Sequence, residues 1–175
     1  ISKNYGAEVP SLRSKKLAKS NSKMDDVVEN IIDELFELGY KFDIIVNRDC
    51  TAPFIRSADI KKSINLLKTK KCDTVVAVYR THLNPYFNMV EIKKNKFLKL
   101  SKQLKKRPIS RQDSPHVYQL NGLFVYNVDK FLKYKTPLPP KSLPYKIPVE
   151  SGFMIDTEFE FKIAELIIKN KLLKI

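Results

Sequence analysis

The sequence predicts an α/β fold built on a mixed, mainly parallel sheet. Residues 42–46 and 74–79 are apolar runs without polar alternation, which is typical of strands covered on both faces. Apolar residues recur at helical spacing in the segment between them, which Ser57 can cap. The three segments therefore predict a strand–helix–strand unit, and sheets of this kind bind ligands at the carboxyl ends of their strands.

Three further helices are predicted from apolar periodicity and end signals. Ser22, followed by acidic residues, predicts the start of a helix that ends at Gly39. A short helix is predicted over residues 129–134. The clearest helix runs from about residue 158 to residue 170, where Thr157 and Glu160 match a capping box.

In the middle of the chain, the sequence predicts short strands separated by turns and a proline-rich stretch. Residues 87–92 and 97–100 predict a hairpin, and Asn121-Gly122 predicts a tight turn between two more short strands. Prolines recur over residues 137–148, which excludes a regular helix there and favours an arm or a lid.

The polar loop that follows the first predicted strand is the first candidate ligand site. It runs from Asn47 to Thr51, and Pro53 prevents a simple continuation of the strand. An ordinary strand-to-helix loop explains the same residues. The loop therefore needs support from elsewhere in the sequence.

Composition narrows the class of protein. The 175 residues, 43% of them apolar, suit one soluble domain without a membrane-length apolar run. A net charge of +14 favours nucleic acid, an anionic surface or a phosphorylated substrate. The excess is mostly lysine spread along the chain, which disfavours a dedicated nucleic-acid function. The basic run at residues 102–107 is interpreted as a solvated segment that an anionic ligand could use.

The two cysteines and the first residue of the chain indicate the cellular compartment and a preceding segment. Cys50 and Cys72 do not form a zinc ribbon or a CxxC pair, and no secretory apolar region is visible, so we expect a cytoplasmic protein. His82 and His116 are interpreted as loop or core residues rather than catalytic groups. Because the chain begins at Ile1, we expect a segment to precede it.

Four stretches of the sequence resemble one family in order and spacing. They are GAEVPSLRSKKLA at residues 6–18, RDCTAPFIRSADI at 48–60, SRQDSPHVYQLNGLFVY at 110–126 and IDTEFEFKIAELII at 155–168. They are similar to GAEVPFxRPxxLA, QPTSPLRTxEDI, RQxxPxxYxxNGxxY and DIDTExDFxxAExLL of the acylneuraminate (CMP-sialic acid synthetase type) cytidylyltransferases. The resemblance covers the whole chain.

The resemblance implies a Rossmann-like three-layer nucleotidyltransferase fold and a defined reaction. CMP would pass from CTP to a nonulosonic, sialic-acid-like sugar, with Mg²⁺ as cofactor and pyrophosphate as the second product, in surface polysaccharide synthesis. It also implies one domain over residues 1–175, with the family's N-terminal strand and glycine-rich CTP loop lying before Ile1. A homodimer is implied, for which residues 127–152 are the predicted arm or lid, without a nucleic-acid or membrane partner.

The resemblance also assigns candidate site residues. Asp156 matches a metal-binding aspartate and is the predicted catalytic and Mg²⁺-binding residue, although its place at a helix start is also a structural explanation. Arg111 is the second predicted catalytic residue, since a planar guanidinium can grip the sugar's carboxylate. The predicted substrate-binding residues are Arg13, Asp49, Thr51, Arg56, Gln112, Asn121 and Tyr86.

Several positions depart from the family pattern. Met154 stands where the first metal aspartate is expected, and a thioether is a poor magnesium ligand. Asp49 replaces a glutamine, and its carboxylate would repel a nearby sugar carboxylate. These departures leave a diverged, non-catalytic nucleotide- or sugar-binding relative as the alternative function.

Overall fold

A computed structural model describes residues 1–173. The helices and strands in chain order are α1 (Met24–Glu37), β1 (Ile44–Arg48), α2 (Ser57–Lys70), β2 (Thr74–Tyr79), β3 (Val90–Ile92), β4 (Leu98–Leu100), β5 (Gln119–Asn127), α3 (Val128–Tyr134), β6 (Ser142–Lys146) and α4 (Glu158–Lys169). Short 3-10 turns cover Ser2–Tyr5 and Glu150–Gly152. Within this part of the chain, every helix is too short or too polar to cross a bilayer.

The main sheet has four strands in the order β1-β5-β2-β6. Strand β5 is antiparallel to β1, and its last residue, Asn127, donates its N–H to the carbonyl of Asp73 at the start of β2, so β5 also opposes β2. Strand β6 follows the direction of β2, because Asp73 donates to Lys141 at one end and Ile147 donates to Val78 at the other. Three strands thus share one direction, and the predicted mixed, mainly parallel sheet is confirmed.

The first strand differs from its prediction in position and burial. It covers Ile44–Arg48 rather than residues 42–46, because Asn47 and Arg48 pair with Phe124 and Leu123 of β5. It is also half-buried, as expected for the end of the sheet order. The prediction of a strand covered on both faces holds for β2, which has neighbours on both sides and five buried residues.

The predicted turn at Asn121-Gly122 is wrong, because both residues lie inside the continuous strand β5. Glycine is required at position 122 because a larger residue would overlap Asp49. The N–H of Asp49 donates to the carbonyl of Gly122 at 2.8 Å, and a Cβ on Gly122 would lie 2.6 Å from the Cβ of Asp49. Close approach of two backbones therefore explains the glycine that resembled a hairpin signal.

The helix ends agree with the predictions in part. Helix α4 has the predicted capping box, in which Thr157 Oγ1 accepts from the N–H of Glu160 and the Glu160 carboxylate accepts from the N–H of Thr157. The Ser22 cap is wrong, because α1 begins at Met24 and the Ser22 hydroxyl donates to the carbonyl of Lys16 instead.

Helix α2 begins with a charge pair around the buried Asp59 rather than with a Ser57 cap. The guanidinium of Arg56 donates to both carboxylate oxygens of Asp59, at 2.8 and 3.0 Å, and the Tyr145 hydroxyl donates to Asp59 at 3.0 Å. Asp59 is only 1% exposed. Burial alone would raise the pKa of Asp59, but the bonds from Arg56 and Tyr145 outweigh it and hold the pKa below its usual 3.8.

The chain forms two compact units. The first comprises Ile1–Cys50, Arg56–Val76 and Gly122–Tyr145, and the second comprises Thr51–Ile55, Ala77–Asn121 and the chain from Lys146 onward. The core of the first unit contains Val28, Ile32, Tyr126, Val128 and Phe131.

The second unit holds the predicted hairpin and a small aromatic contact. Strands β3 and β4 pair antiparallel, with Glu91 opposite Lys99, which confirms the hairpin. Phe54 and Phe153 pack with ring centroids 5.9 Å apart.

The proline-rich stretch is partly regular structure. Residues 137–148 include β6, which contains Pro144, a placement that suits the outer strand of the described sheet. The predicted role of residues 127–152 as a dimerisation arm or lid remains a prediction.

Replacing Gly122 by alanine is expected to lower the free energy of unfolding by about 2–3 kcal/mol, because the added methyl group overlaps Asp49. Urea unfolding measures this loss. In an Asp49→Gly background the overlap disappears, and the same Gly122→Ala change should cost less than about 1 kcal/mol. An equal cost in both backgrounds would refute the proposed overlap.

Replacing Asp59 by alanine is expected to cost about 2 kcal/mol of unfolding free energy at pH 7, whereas Tyr145→Phe, which leaves the Arg56 bonds intact, should cost about 1 kcal/mol. Because the pKa of Asp59 is lowered in the folded state, its contribution to stability is fully present above the unfolded pKa near 3.8. The contribution is lost as the pH falls through the lower, folded pKa. The difference between Asp59→Ala and the parent should therefore shrink below about pH 4 in urea titrations. A difference that is the same at pH 3 and pH 7 would contradict this account.

Candidate active site

Asp156 lies in the extended segment between the 3-10 turn Glu150–Gly152 and helix α4. The residue before it, Ile155, donates its N–H to the carbonyl of Thr51 at 2.8 Å. This bond lies within the second unit and brings the main chain of Thr51 beside the segment that carries Asp156. Two of the predicted site residues are thereby neighbours.

The carboxylate of Asp156 is not used to cap α4. Thr157 is the cap residue, and Asp156 contributes only its backbone N–H, which donates to Glu160 at 2.8 Å. Bonds from the main chain of Asp156 and from Thr157 hold the pKa of Glu160 below its usual value. Across residues 1–173 the exposed Asp156 carboxylate has no hydrogen-bond partner, so the alternative explanation as a capping residue does not account for its side chain.

A cavity of about 590 Å³ in the second unit contains Asp156. Its polar side includes Tyr79, Thr81, His82 and Gln119, and its apolar side includes Met154. The volume falls in the range of small-molecule sites. Burial, and then the charge of Asp156, raise the pKa of Tyr79, so its hydroxyl is protonated at neutral pH.

Tyr79 and Gly152 form a wall of this cavity that sequence analysis did not identify. A Cβ on Gly152 would lie 2.5 Å from Cγ of Tyr79 and 2.6 and 2.7 Å from its two Cδ atoms. The backbone of Gly152 therefore rests on the ring face. Because the two residues are far apart in the sequence, only the end of a buried strand at Tyr79 pointed to this contact.

Asn121 supports the same wall from inside the protein. Its side chain is 2% exposed, and its Nδ2 donates to the carbonyl of Gly152 at 3.2 Å. Its Oδ1 is buried without a partner in the described part of the chain. The described side-chain bond of Asn121 is thus to the backbone, and its predicted contact with substrate remains a prediction.

Arg111 and Gln112 lie apart from the cavity that contains Asp156. Both side chains are exposed on the turn formed by residues 110–114, where Ser114 donates its N–H to the carbonyl of Arg111 at 3.3 Å. Neither residue lines the cavity. The pairing of Arg111 with Asp156 as catalytic residues remains a prediction.

Tyr86 lines a second cavity of about 650 Å³, together with Phe87, Lys105 and Arg107. It is positioned by Asn84, whose Oδ1 accepts from the N–H of Tyr86 at 2.9 Å and whose Nδ2 donates to the carbonyl of Pro115 at 3.0 Å. Sequence analysis missed this role of Asn84, although an asparagine before a proline is a recognised turn signal.

The first unit contains the other predicted substrate-binding residues, which are Arg13, Asp49 and Arg56. Arg13 is exposed in a segment without regular secondary structure, Asp49 is half-buried against Gly122, and Arg56 binds Asp59 at the start of α2. The structure thus gives Asp49 and Arg56 structural contacts that do not depend on a ligand.

Asp156, the predicted metal ligand, meets the chemical requirements of Mg²⁺. Residues 1–173 contain no cluster of three His, Cys, Asp or Glu side chains that could hold a metal. Magnesium, however, binds through one or two carboxylates when substrate phosphates and water supply the remaining oxygens. Asp156, exposed and unpaired in this described part, fits that mode.

The sequence of the chain is similar to those of known proteins, of which two are named. The chain is 27% identical to a protein named post-translational flagellin modification protein B from Campylobacter coli and 29% identical to a CMP-N,N'-diacetyllegionaminic acid synthase from Campylobacter jejuni. Each similarity covers 98% of this chain and 72% of the relative. No family model matches the sequence.

The fold is similar to a solved structure of CMP:2-keto-3-deoxy-manno-octonic acid synthetase complexed with CTP. The TM-score is 0.57 at 10% identity, and the similarity covers 87% of this chain and 70% of the other. This likeness confirms the predicted nucleotidyltransferase fold. The named sequence relatives confirm the predicted resemblance to the CMP-sialic acid synthetase type of cytidylyltransferases.

Proposed function

We propose that the protein transfers CMP from CTP to a nonulosonic, sialic-acid-like sugar for the synthesis of a surface glycan. The observation that carries the proposal is the carboxylate of Asp156. It is exposed, is not used by the capping box of α4 and borders a cavity large enough for a sugar. The relatives, one of which is named a CMP-N,N'-diacetyllegionaminic acid synthase, support this class of acceptor.

The reaction is an in-line transfer at the α-phosphorus of CTP. The oxygen of the sugar's anomeric hydroxyl forms a bond to this phosphorus and gives its proton to solvent, while the bond to the bridging oxygen breaks and pyrophosphate leaves. The protein has little covalent chemistry to perform and acts by orientation and electrostatics. The exposed guanidinium of Arg111 suits the carboxylate of the sugar, and Asn121 fixes the cavity wall through Gly152.

Magnesium belongs to the proposal because of the charges involved. When bound, Mg²⁺ offsets the charge of the triphosphate and of the departing pyrophosphate. Asp156 would hold it, with phosphate oxygens and water as further ligands. Met154 lines the same cavity and supplies only a thioether, which does not suit this hard cation.

Met154 also supports a second candidate function, a non-catalytic nucleotide- or sugar-binding relative of the same fold. In that case the protein binds its ligands without turnover. The homodimer and the cytoplasmic location belong to the first proposal as further expectations, which size-exclusion chromatography and cell fractionation test.

The purified protein should release pyrophosphate from CTP in the presence of Mg²⁺ only when a nonulosonic acid is added. A coupled pyrophosphate assay with sialic, legionaminic, pseudaminic and octulosonic acids measures this dependence. Chelation of the metal should stop the reaction. Calorimetry that detects ligand binding, with no release from any acceptor, would favour the non-catalytic relative.

Replacing Asp156 by alanine should lower turnover at least 100-fold, because the charge that holds the cation is lost. The thermal midpoint should stay within about 2 °C, since Thr157 and Glu160 retain the cap. Glu158→Ala is the matched control. It removes a neighbouring carboxylate that is 82% exposed and pairs with Lys162 at 2.9 Å.

The control variant should keep its turnover. A large fall in the thermal midpoint of Asp156→Ala with nearly normal turnover would instead show a structural role for this carboxylate.

A further inference from the structure

Tyr79 is the last residue of β2 and the point at which this strand leaves the core. The five residues before it are buried, whereas Tyr79 is half-buried and lines the cavity that contains Asp156. The carboxyl end of a strand in a mainly parallel sheet is a common place for ligand contacts. Its position makes Tyr79 a candidate ligand-contacting residue. The contacts of its ring indicate which of its groups could meet a ligand.

The end of the Tyr79 ring that is attached to Cβ is held against Gly152. The three ring atoms nearest to Gly152 are Cγ and both Cδ atoms, which would all lie within 2.7 Å of a Cβ at that position. Gly152 is held in turn, because its carbonyl accepts the 3.2 Å bond from the buried Asn121. The ring therefore has little freedom to turn, and the hydroxyl at its far end is preorganised.

The hydroxyl of Tyr79 has no hydrogen-bond partner among residues 1–173. Tyrosine hydroxyls that are partly buried usually find a partner. The Asp156 carboxylate borders the same cavity and likewise lacks a partner in the described chain. Tyr79 and Asp156 thus line one cavity, and each carries a polar group without a hydrogen-bond partner in the described chain.

We propose that Tyr79 is a further substrate-contacting residue, whose hydroxyl donates a hydrogen bond to an anionic oxygen of the ligand held beside Asp156. This inference rests on the proposed function. The oxygen belongs either to a phosphate of CTP or to the carboxylate of the sugar, and separate titrations of the two ligands distinguish them. Asn121 and Gly152 act through Tyr79 as positioning residues.

Replacing Tyr79 by phenylalanine keeps the ring on Gly152 and removes only the hydroxyl. Calorimetry should show at least tenfold weaker binding of one ligand, CTP with Mg²⁺ or the sugar, and unchanged binding of the other. The KM of the same substrate should rise by a similar factor. The thermal midpoint should stay within about 2 °C, which a merely structural role of the hydroxyl would not require.

Two further variants complete the experiment. Gly152→Ala displaces the ring and should weaken the same ligand while also lowering the thermal midpoint. Tyr118→Phe is the matched control, because Tyr118 is an exposed tyrosine of the same unit outside the cavity, with Lys146 Nζ 5.2 Å from its ring centroid. This variant should bind both ligands like the parent protein.

The possible outcomes separate the two proposals. Parent-like binding of both ligands by Tyr79→Phe would overturn the role of Tyr79 and leave the proposed function intact. Weaker binding by Tyr79→Phe in a protein that releases no pyrophosphate would support Tyr79 and refute the transferase. A parent protein that binds neither ligand would overturn both.

Discussion

The hydrogen bond from the buried amide of Asn121 to the carbonyl of Gly152 is the contact on which the candidate site depends. It requires strand β5 to continue through Asn121 and Gly122, since a turn there would carry the amide away from Gly152. It also holds Gly152 against the ring of Tyr79, where no side chain would fit. The interior amide of Asn121 thus fixes both Gly152, which forms part of the cavity wall, and Tyr79, which packs on Gly152.

The two glycines around Asn121 and Tyr79 act by the same physical principle. Gly122 admits the backbone of Asp49, and Gly152 admits the ring of Tyr79. Neither has a positive φ, so conformational freedom is not the reason for glycine at these positions. The chain has four glycines, and two of them serve contacts between segments that are remote in the sequence.

The elements that the sequence predicts correctly are those that local interactions decide. The capping box of Thr157 and Glu160 and the β3–β4 hairpin depend on residues only a few positions apart, and both were predicted correctly. Asn121-Gly122 was predicted wrongly because the dipeptide lies inside strand β5, where Gly122 accepts from the N–H of Asp49, and this pairing overrides its turn preference. The same holds for the candidate site. The family motif at residues 155–168 pointed to Asp156, whereas the contact of Tyr79 with Gly152 joins two remote residues and is seen only in the folded structure.

The charges at the site limit how it can hold an anionic ligand. A protein with a net charge of +14 attracts anionic ligands over its whole surface, but Asp156 would repel a triphosphate that came close to it. Burying such a contact without compensation is unfavourable, and a hydrogen bond from Tyr79 alone does not offset the repulsion between two anions. Asp156 would hold a divalent cation, whose charge would offset this repulsion, and this is the physical reason that the proposed function includes Mg²⁺. A hydrogen-bond donor on the cavity wall then has a separate task, which is to orient the anion that the cation attracts.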